Sequence, residues 1–586
     1  MDTEPLSPPL VVDEPTEVAD APTRRRRWRL PDRAWIVVAA CVVTAVRWWE
    51  AADRRVFHVA PDEPGQLAMA RWLSGGTRWN MFDHLTWRPG YALTLAPLAR
   101  IVDGGEGLVR AALTLNAVFA GLSCVLLTLL VRRWTDLGHR AAAGIAAVVA
   151  LAPSAIASSA YTWAESLITL VFLATLVALQ RFIDHRGSAA AVAAVALSAF
   201  AMTVHGRSLP MLPVTAAVIG VVLIVDRRWR EAVAIGGLAA TLGLLSVRFT
   251  NWVLRNVWDE PSDANTAEAV IERLDAPGAL LDSFIGQMWY QLVASLGMVG
   301  IGTVVLVAAL VRPTRRLGRL DAAVVLVLIA PLAATSVTFM AGRARPDQLV
   351  YGRYVDAVIW PVAALGLAWS WRRLRATTEL PRSFVPVGVA LVTIASGIVV
   401  AFRHGDQLAG DVGLRMMVPG LLPYIGNGDG VPVLTITALA TMAIGVLACV
   451  SVAPSVRRLP RSVLLLGAVA AISFGGVRVH DAQAAHLNSW AIGDDVAEID
   501  RIVPAGEPIG VLMRPSALVP DLVEQRQRFQ AYQLFLDDRE FVWERRPGRY
   551  STSYVLAPSR VRALVEAGGV VVWYDPGKPM ALWQLP

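Results

Sequence analysis

The feature that most constrains this chain is a series of apolar runs, each close to the length that crosses a lipid bilayer. They recur along most of the 586 residues, of which 55% are hydrophobic and only 17% are charged. A transmembrane helix needs roughly 20 consecutive apolar residues, whereas soluble chains carry about 25% charged residues. The sequence therefore predicts a polytopic α-helical membrane protein. It excludes a cytosolic enzyme, a secreted disulfide-rich domain and a disordered hub.

The apolar runs divide the chain into three predicted regions, with about thirteen membrane spans in the second. Residues 1–23 are acidic and contain several prolines, and with the basic residues that follow they predict a disordered cytoplasmic tail over 1–33. Residues 34–478 form the predicted membrane domain, and 479–586 a soluble domain. Spans are expected near 34–46, 108–131, 141–160, 165–181, 189–204, 210–225, 232–250, 290–311, 320–340, 355–371, 383–401, 431–452 and 462–478.

The distribution of arginine along the chain predicts how the chain is oriented in the membrane. Arg24–Arg27 and Arg29 precede the first run, and short connections at alternate intervals are basic. These connections carry Arg132, Arg133, Arg181, Arg186, Arg227, Arg228, Arg230, Arg312, Arg315, Arg316, Arg319, Arg372, Arg373, Arg375, Arg457, Arg458 and Arg461. Because cytoplasmic loops are enriched in arginine, we expect a cytoplasmic N-terminus, an extracytoplasmic C-terminus and a location in the cytoplasmic membrane. The net charge of +7 then reflects topology, and it indicates no nucleic-acid partner.

The larger loops are predicted on the outer face, at 47–107, 251–289, 341–354 and 402–430. The C-terminal region is expected to be a small α/β domain on the same side, because helical and strand patterns alternate there. The patterns predict helices at Asp494–Ile502 and Pro558–Ala567 and strands at Pro508–Met513 and Gly569–Tyr574.

Two adjacent acids, Asp62 and Glu63, open a short helical pattern in the first outer loop. Leu67, Ala70 and Leu73 follow at helical spacing. We expect this helix to lie in the membrane interface with its apolar side toward lipid.

Two interpretations of Asp62 and Glu63 remain open from these residues. Asp62 could be a helix N-cap and Glu63 an acid favoured by the helix dipole. Alternatively, a carboxylate at this depth suits a general base, because a hydroxyl that attacks the anomeric carbon of a lipid-phosphate-linked sugar must lose its proton.

The same loop continues with a third acid, Asp83, followed by His84 and Arg88. The planar guanidinium of Arg88 suits a phosphate leaving group. Asp83 and His84 are either an ordinary loop pair or ligands of a divalent cation. That cation is the one cofactor the residues suggest, and no other cofactor is expected.

Further candidates stand at the outer ends of later spans. His205 and Arg207 follow the fifth span, where a lipid phosphate would lie; the alternative for Arg207 is a snorkelling side chain. Arg345 and Arg353 belong to an outer loop, against the usual bias of arginine toward the cytoplasm, which favours a phosphate partner. Glu165 either hydrogen-bonds a sugar or caps its helix.

Four short motifs in this order resemble those of the GT-C glycosyltransferases, in particular the protein O-mannosyltransferase and aminoarabinose-transferase branch. The motifs are Pro61-Asp62-Glu63, Phe82-Asp83 with Arg88-Pro89-Gly90-Tyr91, Tyr161-Thr162-Trp163-Ala164-Glu165, and Tyr351-Gly352-Arg353-Tyr354 followed by Pro361. The resemblance covers about 30–370, and the order of the motifs and their common predicted side carry it. The span count and the outer C-terminal domain also match this branch.

The resemblance implies an inverting transferase that uses a polyprenyl-phosphate-linked sugar. It implies that Asp62 is the base, that Glu63 orients the acceptor or binds a cation, and that Asp83 is the acid of the second motif. Tyr161, Glu165, Arg353 and Tyr354 are implied to bind the donor. The sequence has His84 where the aminoarabinose branch has a lysine, which argues against an aminoarabinose donor and a lipid A acceptor.

Two other classes of function are alternatives to a transferase. A lipid-linked-sugar transporter or flippase is disfavoured, because the two halves show no obvious repeat and the acids of interest lie in loops rather than in mid-span. A non-catalytic assembly subunit is disfavoured by the retained acids and Arg353. Lys578 is the only lysine; this bias suits a GC-rich actinobacterial source, for which arabinose and mannose are the expected donor sugars. The acceptor could be an envelope glycan, a lipid or a protein.

Overall fold

The computed structural model describes residues 31–57, 62–76, 87–258, 273–343, 345–375, 383–410, 415–425, 430–452, 471, 474–476, 478–479, 493–512, 522–536, 539–544, 549–575 and 580–586. Most of the predicted tail and of the predicted span 462–478 lies outside these residues. The division of the chain into three regions therefore stays a prediction.

The N-terminal four fifths of the described chain are helical. The helices are α1 Ala34–Glu50, α2 Asp62–Leu73, α3 Gly90–Ala99, α4 Gly104–Trp134, α5 His139–Ala150, α6 Pro153–Ala157, α7 Glu165–His185, α8 Ser188–Val204, α9 Met211–Val225, α10 Trp229–Val257, α11 Pro277–Ala294, α12 Met298–Val311, α13 Arg319–Met340, α14 Pro346–Leu349, α15 Arg353–Asp356, α16 Trp360–Arg375, α17 Val385–Ala409 and α18 Val433–Val452.

The prediction of a polytopic helical chain is confirmed in its coarse form, whereas the count of thirteen spans is not. Among the described residues, 6 helices are long and apolar enough to cross a bilayer, or 8 if each of two bent pairs is one span. Three shorter apolar helices, of 10–17 residues, lie at Gly90–Ala99, Ser188–Val204 and Val433–Cys449.

The two bent pairs occur where two of the continuous apolar runs were predicted as single spans. The run predicted at 141–160 is α5 followed by α6 at 58°, and Pro153 begins α6, as suits a residue that lacks a backbone N–H. The run predicted at 290–311 includes the end of α11 and all of α12, which meet at 105°. Between these two helices Leu296 and Gly297 adopt positive φ angles of 49° and 80°, and this left-handed backbone ends a helix.

Some helices pack against their neighbour in the sequence, as α7 does with α8 and α17 with α18, and others against helices further along the chain, as α1 does with α4 and α12 with α16. At the end of the bundle opposite α2, Arg133 joins three helices. Its guanidinium donates to Asp184 at 2.9 and 2.5 Å and to Asp321 at 3.2 and 3.0 Å. Arg133, one of the arginines from which the membrane orientation is predicted, therefore also holds helices together.

The C-terminal region is the small α/β unit that the sequence predicts. It contains α19 Gly493–Ile502, α20 Leu522–Phe535 and α21 Arg562–Glu566, with β1 Ile509–Val511, β2 Phe541–Trp543, β3 Tyr554–Pro558, β4 Val570–Asp575 and β5 Met580–Gln584. The sheet order is β2-β1-β3-β5-β4, parallel over its first three strands and antiparallel over the rest. The sequence missed α20, β2, β3 and β5. Helix α20 packs against α2 and α4, and in this way the unit reaches the region of Asp62.

Helices α12 and α16 cross at glycine, and we predict that this crossing is sensitive to a single methyl group. A Cβ on Gly366 would overlap the carbonyl oxygen of Met298, so Gly366→Ala should push the helices apart and cost roughly 1–3 kcal/mol. We expect a thermal midpoint several degrees lower in detergent. Gly388→Ala is the matched control, because a Cβ there meets nothing within 4 Å. Equal midpoints for the two variants would contradict the close crossing.

Candidate functional site

Asp62 begins α2, and both of its carboxylate oxygens bind side chains that are distant in the sequence. Arg353 donates from Nη1 to Oδ2 at 2.5 Å, and Trp87 donates from Nε1 to Oδ1 at 3.3 Å. The side chain of Asp62 is 26% exposed. A carboxylate has about four lone-pair positions, so two bonds leave room for a hydroxyl group to approach. Asp62 is therefore more than a residue that starts a helix.

Arg353, in the short helix α15, is the centre of this site. It is only 6% exposed, and besides Asp62 it forms an ion pair through Nε with Oε1 of Glu165. Its guanidinium lies 3.7 Å from the centre of the Trp163 ring and donates to Sδ of Met417 at 3.7 Å. Burial disfavours the charge, but the carboxylates of Glu165 and Asp62 outweigh this effect and raise the pKa of Arg353. The guanidinium is therefore a fixed cation.

Glu63 occupies a different environment from its neighbour. Its side chain is 0% exposed. Its Oε1 accepts hydrogen bonds from the backbone N–H of Thr162 at 2.7 Å and from the Thr162 hydroxyl at 2.9 Å, while Arg54 lies 3.8 Å from Oε2. Glu63 thereby ties α2 to the segment before α7, and a positioning role fits these contacts better than direct contact with an acceptor.

The expectation that α2 rests on lipid with one apolar side is wrong. Residues 63–70 are all buried, since α2 packs against α3 and against α20 of the C-terminal unit. Arg71, at the last turn, donates to the backbone carbonyls of Ala99, Val102 and Gly104 at 2.7–3.0 Å. These bonds satisfy carbonyls beyond the end of α3 that would otherwise lack partners. The helix that carries Asp62 is therefore enclosed by protein.

A second group of cations lies beside the first, around Tyr354. Arg207 stacks on the Tyr354 ring, and the His205 ring meets the same tyrosine edge-on with centroids 5.8 Å apart. Arg353 also lies near this ring, 5.9 Å from the Tyr354 centroid. Arg88 lies next to Gly206. Three of the sequence-predicted residues, Arg207, His205 and Arg353, thus lie close to one aromatic ring.

The electrostatics of this group favour an anion. In the described part of the chain, no carboxylate oxygen lies within 4 Å of Arg207, although the side chain is half-buried. Burial, and then the charges of Arg207, Arg353 and Arg88, lower the pKa of His205 well below its ordinary value. His205 accepts a hydrogen bond at Nδ1 from the backbone N–H of Arg207, at 3.2 Å, as suits a neutral imidazole.

The other predicted site residues fall in three places. Tyr161 is buried and stacks on Trp163, with 4.2 Å between the ring centroids, and the guanidinium of Arg54 lies over its ring. It therefore packs against residues that contact Arg353 and Glu63. Arg345 binds Asp347 at 3.1 Å, and no described contact joins it to the cluster around Arg353. Asp83 and His84 lie outside the described residues. Among the residues that are described, no group of three or more His, Cys, Asp or Glu side chains could hold a metal ion.

Several residues of the site were missed by sequence reasoning. Arg54 and Thr162 contact Glu63, and Met417 contacts Arg353. Arg54 offered a signal, because it is a charged residue close to the end of an apolar run. Thr162 lies within the motif from Tyr161 to Glu165, at a position for which the motif implies no role. Met417 offered no signal, since nothing in its local sequence distinguishes it from an ordinary core residue.

Comparison with solved structures finds proteins of related chain path. The crystal structure of ArnT from Cupriavidus metallidurans bound to undecaprenyl phosphate aligns with a TM-score of 0.49 and 16% identity, over 94% of this chain and 98% of that chain. The arabinosyltransferase EmbB from Mycobacterium smegmatis aligns at 0.44 and 16%, over 83% and 43%. The archaeal oligosaccharyltransferase AglB from Archaeoglobus fulgidus, in complex with an inhibitory peptide and a dolichol-phosphate, aligns at 0.43 and 12%, over 92% and 70%.

No protein-family model and no curated protein matches the chain. Two of these structural neighbours are an arabinosyltransferase and an oligosaccharyltransferase. Because the identities do not exceed 16% and the TM-scores stay below 0.5, the function of this chain has to rest on the geometry of its site.

The buried carboxylate of Asp347 predicts that the stability of the folded protein depends on pH. It is 0% exposed, and burial raises its pKa to about 6 even though Arg345 lowers it. An unfolded aspartate has a pKa of about 3.9, so the protonated form stabilises the folded state, and this contribution is lost as the pH rises through about 6. We expect the thermal midpoint of Asp347→Asn relative to wild type to increase between pH 4 and pH 7. Parallel midpoint curves for the two proteins would contradict this prediction.

Proposed function

We propose that this chain is an integral membrane glycosyltransferase. It transfers a sugar from a polyprenyl-phosphate donor to an envelope glycan, lipid or protein acceptor on the outer face of the cytoplasmic membrane. The observation that carries the proposal is one arrangement: a partly exposed carboxylate, Asp62, is fixed by a buried cation, Arg353, next to a second cation, Arg207, that has no described carboxylate partner.

The chemistry that suits this arrangement is an inverting displacement. The acceptor hydroxyl approaches a free lone pair of Asp62, which takes its proton as the oxygen attacks the anomeric carbon. The bond between that carbon and the phosphate oxygen breaks, and the electron pair leaves with the lipid phosphate. Attack from the side opposite the phosphate inverts the configuration. Asp62 ends protonated and returns the proton to solvent.

The cation group around Tyr354 suits the leaving phosphate. Arg207 and Arg88 supply guanidinium donors, which bind phosphate in a planar, bidentate manner. A neutral His205 supplies a hydrogen-bond donor at Nε2 without adding charge. Since negative charge develops on the phosphate as the bond breaks, fixed cations there stabilise the transition state more than the ground state.

Glu165 and Trp163 are placed to bind the sugar of the donor. Glu165 accepts from Arg353 at one carboxylate oxygen, and its Oε2 has no hydrogen-bond partner. Trp163 presents an aromatic ring that Arg353 covers. Arabinose and mannose are the donor sugars we favour. Asp83 and His84, an ordinary loop pair or ligands of a divalent cation, lie outside the described residues and carry no part of this proposal.

Asp62→Asn should reduce transfer by about 10²–10⁴-fold, because the loss of a general base typically costs that factor. The amide keeps the size of the side chain and an oxygen for the Trp87 bond. The measurement is transfer from decaprenyl-phosphate arabinose and polyprenyl-phosphate mannose by purified protein in nanodiscs. Asp53→Asn is the matched control, since Asp53 is an exposed acid of the same loop. Full activity of Asp62→Asn with an unchanged thermal midpoint would exclude Asp62 as the base.

Arg207→Ala should weaken binding of the donor more than binding of the acceptor. Loss of one charge-assisted bond to phosphate costs about 1.5–3 kcal/mol, which corresponds to roughly ten- to a hundred-fold in the KM for the lipid-linked sugar. Arg345→Ala, whose side chain binds Asp347 instead, serves as the comparison and should change this KM little. The assignment of the phosphate to Arg207 would be wrong if the two variants showed the same KM for the donor.

A further inference from the structure

A small cavity lies next to Glu165 and Arg353, inside the helical bundle. Its lining includes Arg47 of α1, Ser123 of α4 and Ser166 of α7, together with Trp163 and Trp360. Because Glu165 and Arg353 belong both to this lining and to the cluster that holds Asp62, the cavity adjoins the proposed catalytic site. None of the motifs in the sequence includes Arg47, Ser123 or Ser166.

Arg47 is an unusual residue for this position. It lies in the last turn of α1, at the start of the predicted outer loop, and is only 1% exposed. Its Nε donates to the Ser159 hydroxyl at 2.6 Å and its Nη2 to the Ser158 hydroxyl at 2.8 Å. No carboxylate of the described residues lies within 4 Å of it. A buried charge without a counter-ion is costly, and in a membrane protein such residues mark functional sites.

Three further polar atoms on the cavity wall have no hydrogen-bond partner among the residues that the structure describes. They are the hydroxyl oxygens of Ser123 and Ser166 and Oε2 of Glu165. Ser123 is 0% exposed, Ser166 5% and Glu165 6%. Buried polar groups are almost always paired, because leaving one unpaired costs about 1–3 kcal/mol. These atoms can therefore pair with a group in the cavity that both donates and accepts hydrogen bonds.

The chemistry and size of the cavity restrict that ligand. The serine hydroxyls and Arg47 offer donors and Glu165 offers an acceptor, so a simple anion would satisfy only part of the wall. The cavity has room for about one or two water-sized groups, which is the size of a hydroxyl-bearing arm and too small for a whole sugar ring. Aromatic rings beside hydroxyl and carboxylate groups also suit a carbohydrate.

We propose that this cavity is a specificity subsite that receives one or two hydroxyl groups of the donor sugar, while the ring itself lies between the cavity and Asp62. Ser123, Ser166 and Glu165 hydrogen-bond these hydroxyls, and Arg47 is the cation of the subsite. This inference rests on the proposed glycosyltransferase function. It names the part of the protein that distinguishes one lipid-linked sugar from another.

The test uses Ser123→Ala and Ser166→Ala in the full-length protein in nanodiscs, because these hydroxyls bind no other protein group and their removal leaves the Arg47 bonds intact. We measure the affinity for decaprenyl-phosphate arabinose, for polyprenyl-phosphate mannose and for decaprenyl phosphate alone. We expect each variant to bind the cognate sugar-bearing lipid about three- to ten-fold more weakly. Binding of decaprenyl phosphate should not change.

Ser451→Ala is the matched control, since Ser451 is also buried with an unpartnered hydroxyl but lies at the far end of α18, outside the cavity lining. A second arm uses donor analogues that lack a single sugar hydroxyl. The analogue that lacks the hydroxyl seated in the cavity should bind the wild type and the two cavity variants equally, because the interaction is then already absent.

The outcomes separate this proposal from the one on which it rests. If the wild type binds and transfers a lipid-linked sugar and both cavity variants match it, the cavity holds only water and the subsite is wrong, while the transferase stands. Equal weakening of decaprenyl phosphate and of the sugar-bearing lipid would also overturn the subsite. If the wild type neither transfers a sugar nor prefers a sugar-bearing lipid over decaprenyl phosphate, both proposals fail.

Discussion

The buried charge of Arg353 is the constraint on which the rest of the site depends. Its guanidinium is paired with Asp62 and Glu165, which lie 291 and 188 residues earlier in the chain. Removing one partner of a buried ion pair typically costs roughly 3–5 kcal/mol, because the remaining charge is left uncompensated in a medium of low dielectric constant. The first loop, the start of α7 and α15 are thus held in one arrangement by the need to neutralise one cation.

Helix geometry explains why the two adjacent acids, Asp62 and Glu63, have different surroundings. Successive positions on a helix point in directions about a third of a turn apart or less, so Asp62 meets Arg353 while Glu63 enters the protein toward Thr162 and Arg54. Glu63 fixes α2, and Asp62 keeps an accessible carboxylate. Tyr354 lies near both cations, since the guanidinium groups of Arg353 and Arg207 both approach its ring. The proposed base and the proposed phosphate site therefore share one aromatic neighbour.

Sequence reasoning predicted the elements better than their surroundings. The start of a helix at Asp62 was predicted correctly, as was the C-terminal helix that ends at Ile502. The lipid-facing orientation of α2 was wrong because α20, more than 400 residues later, covers it. Hydropathy measures how apolar a segment is, and it does not distinguish burial by lipid from burial by protein. For the same reason the apolar run at 290–311 gave no sign of the 105° bend.

The amino-acid sequence by itself determined that this chain is helical and apolar enough for a membrane, and it supplied the acids and arginines that are candidates for a site. These properties are local, because hydropathy and side-chain type are read one segment at a time. Only the tertiary structure decided that Arg353 pairs with Asp62 and Glu165, that Arg207 stacks on Tyr354, and that Arg47 faces a cavity beside them. Such pairings depend on which distant segments meet, and buried charges and hydrogen bonds, rather than any spacing along the chain, select that arrangement.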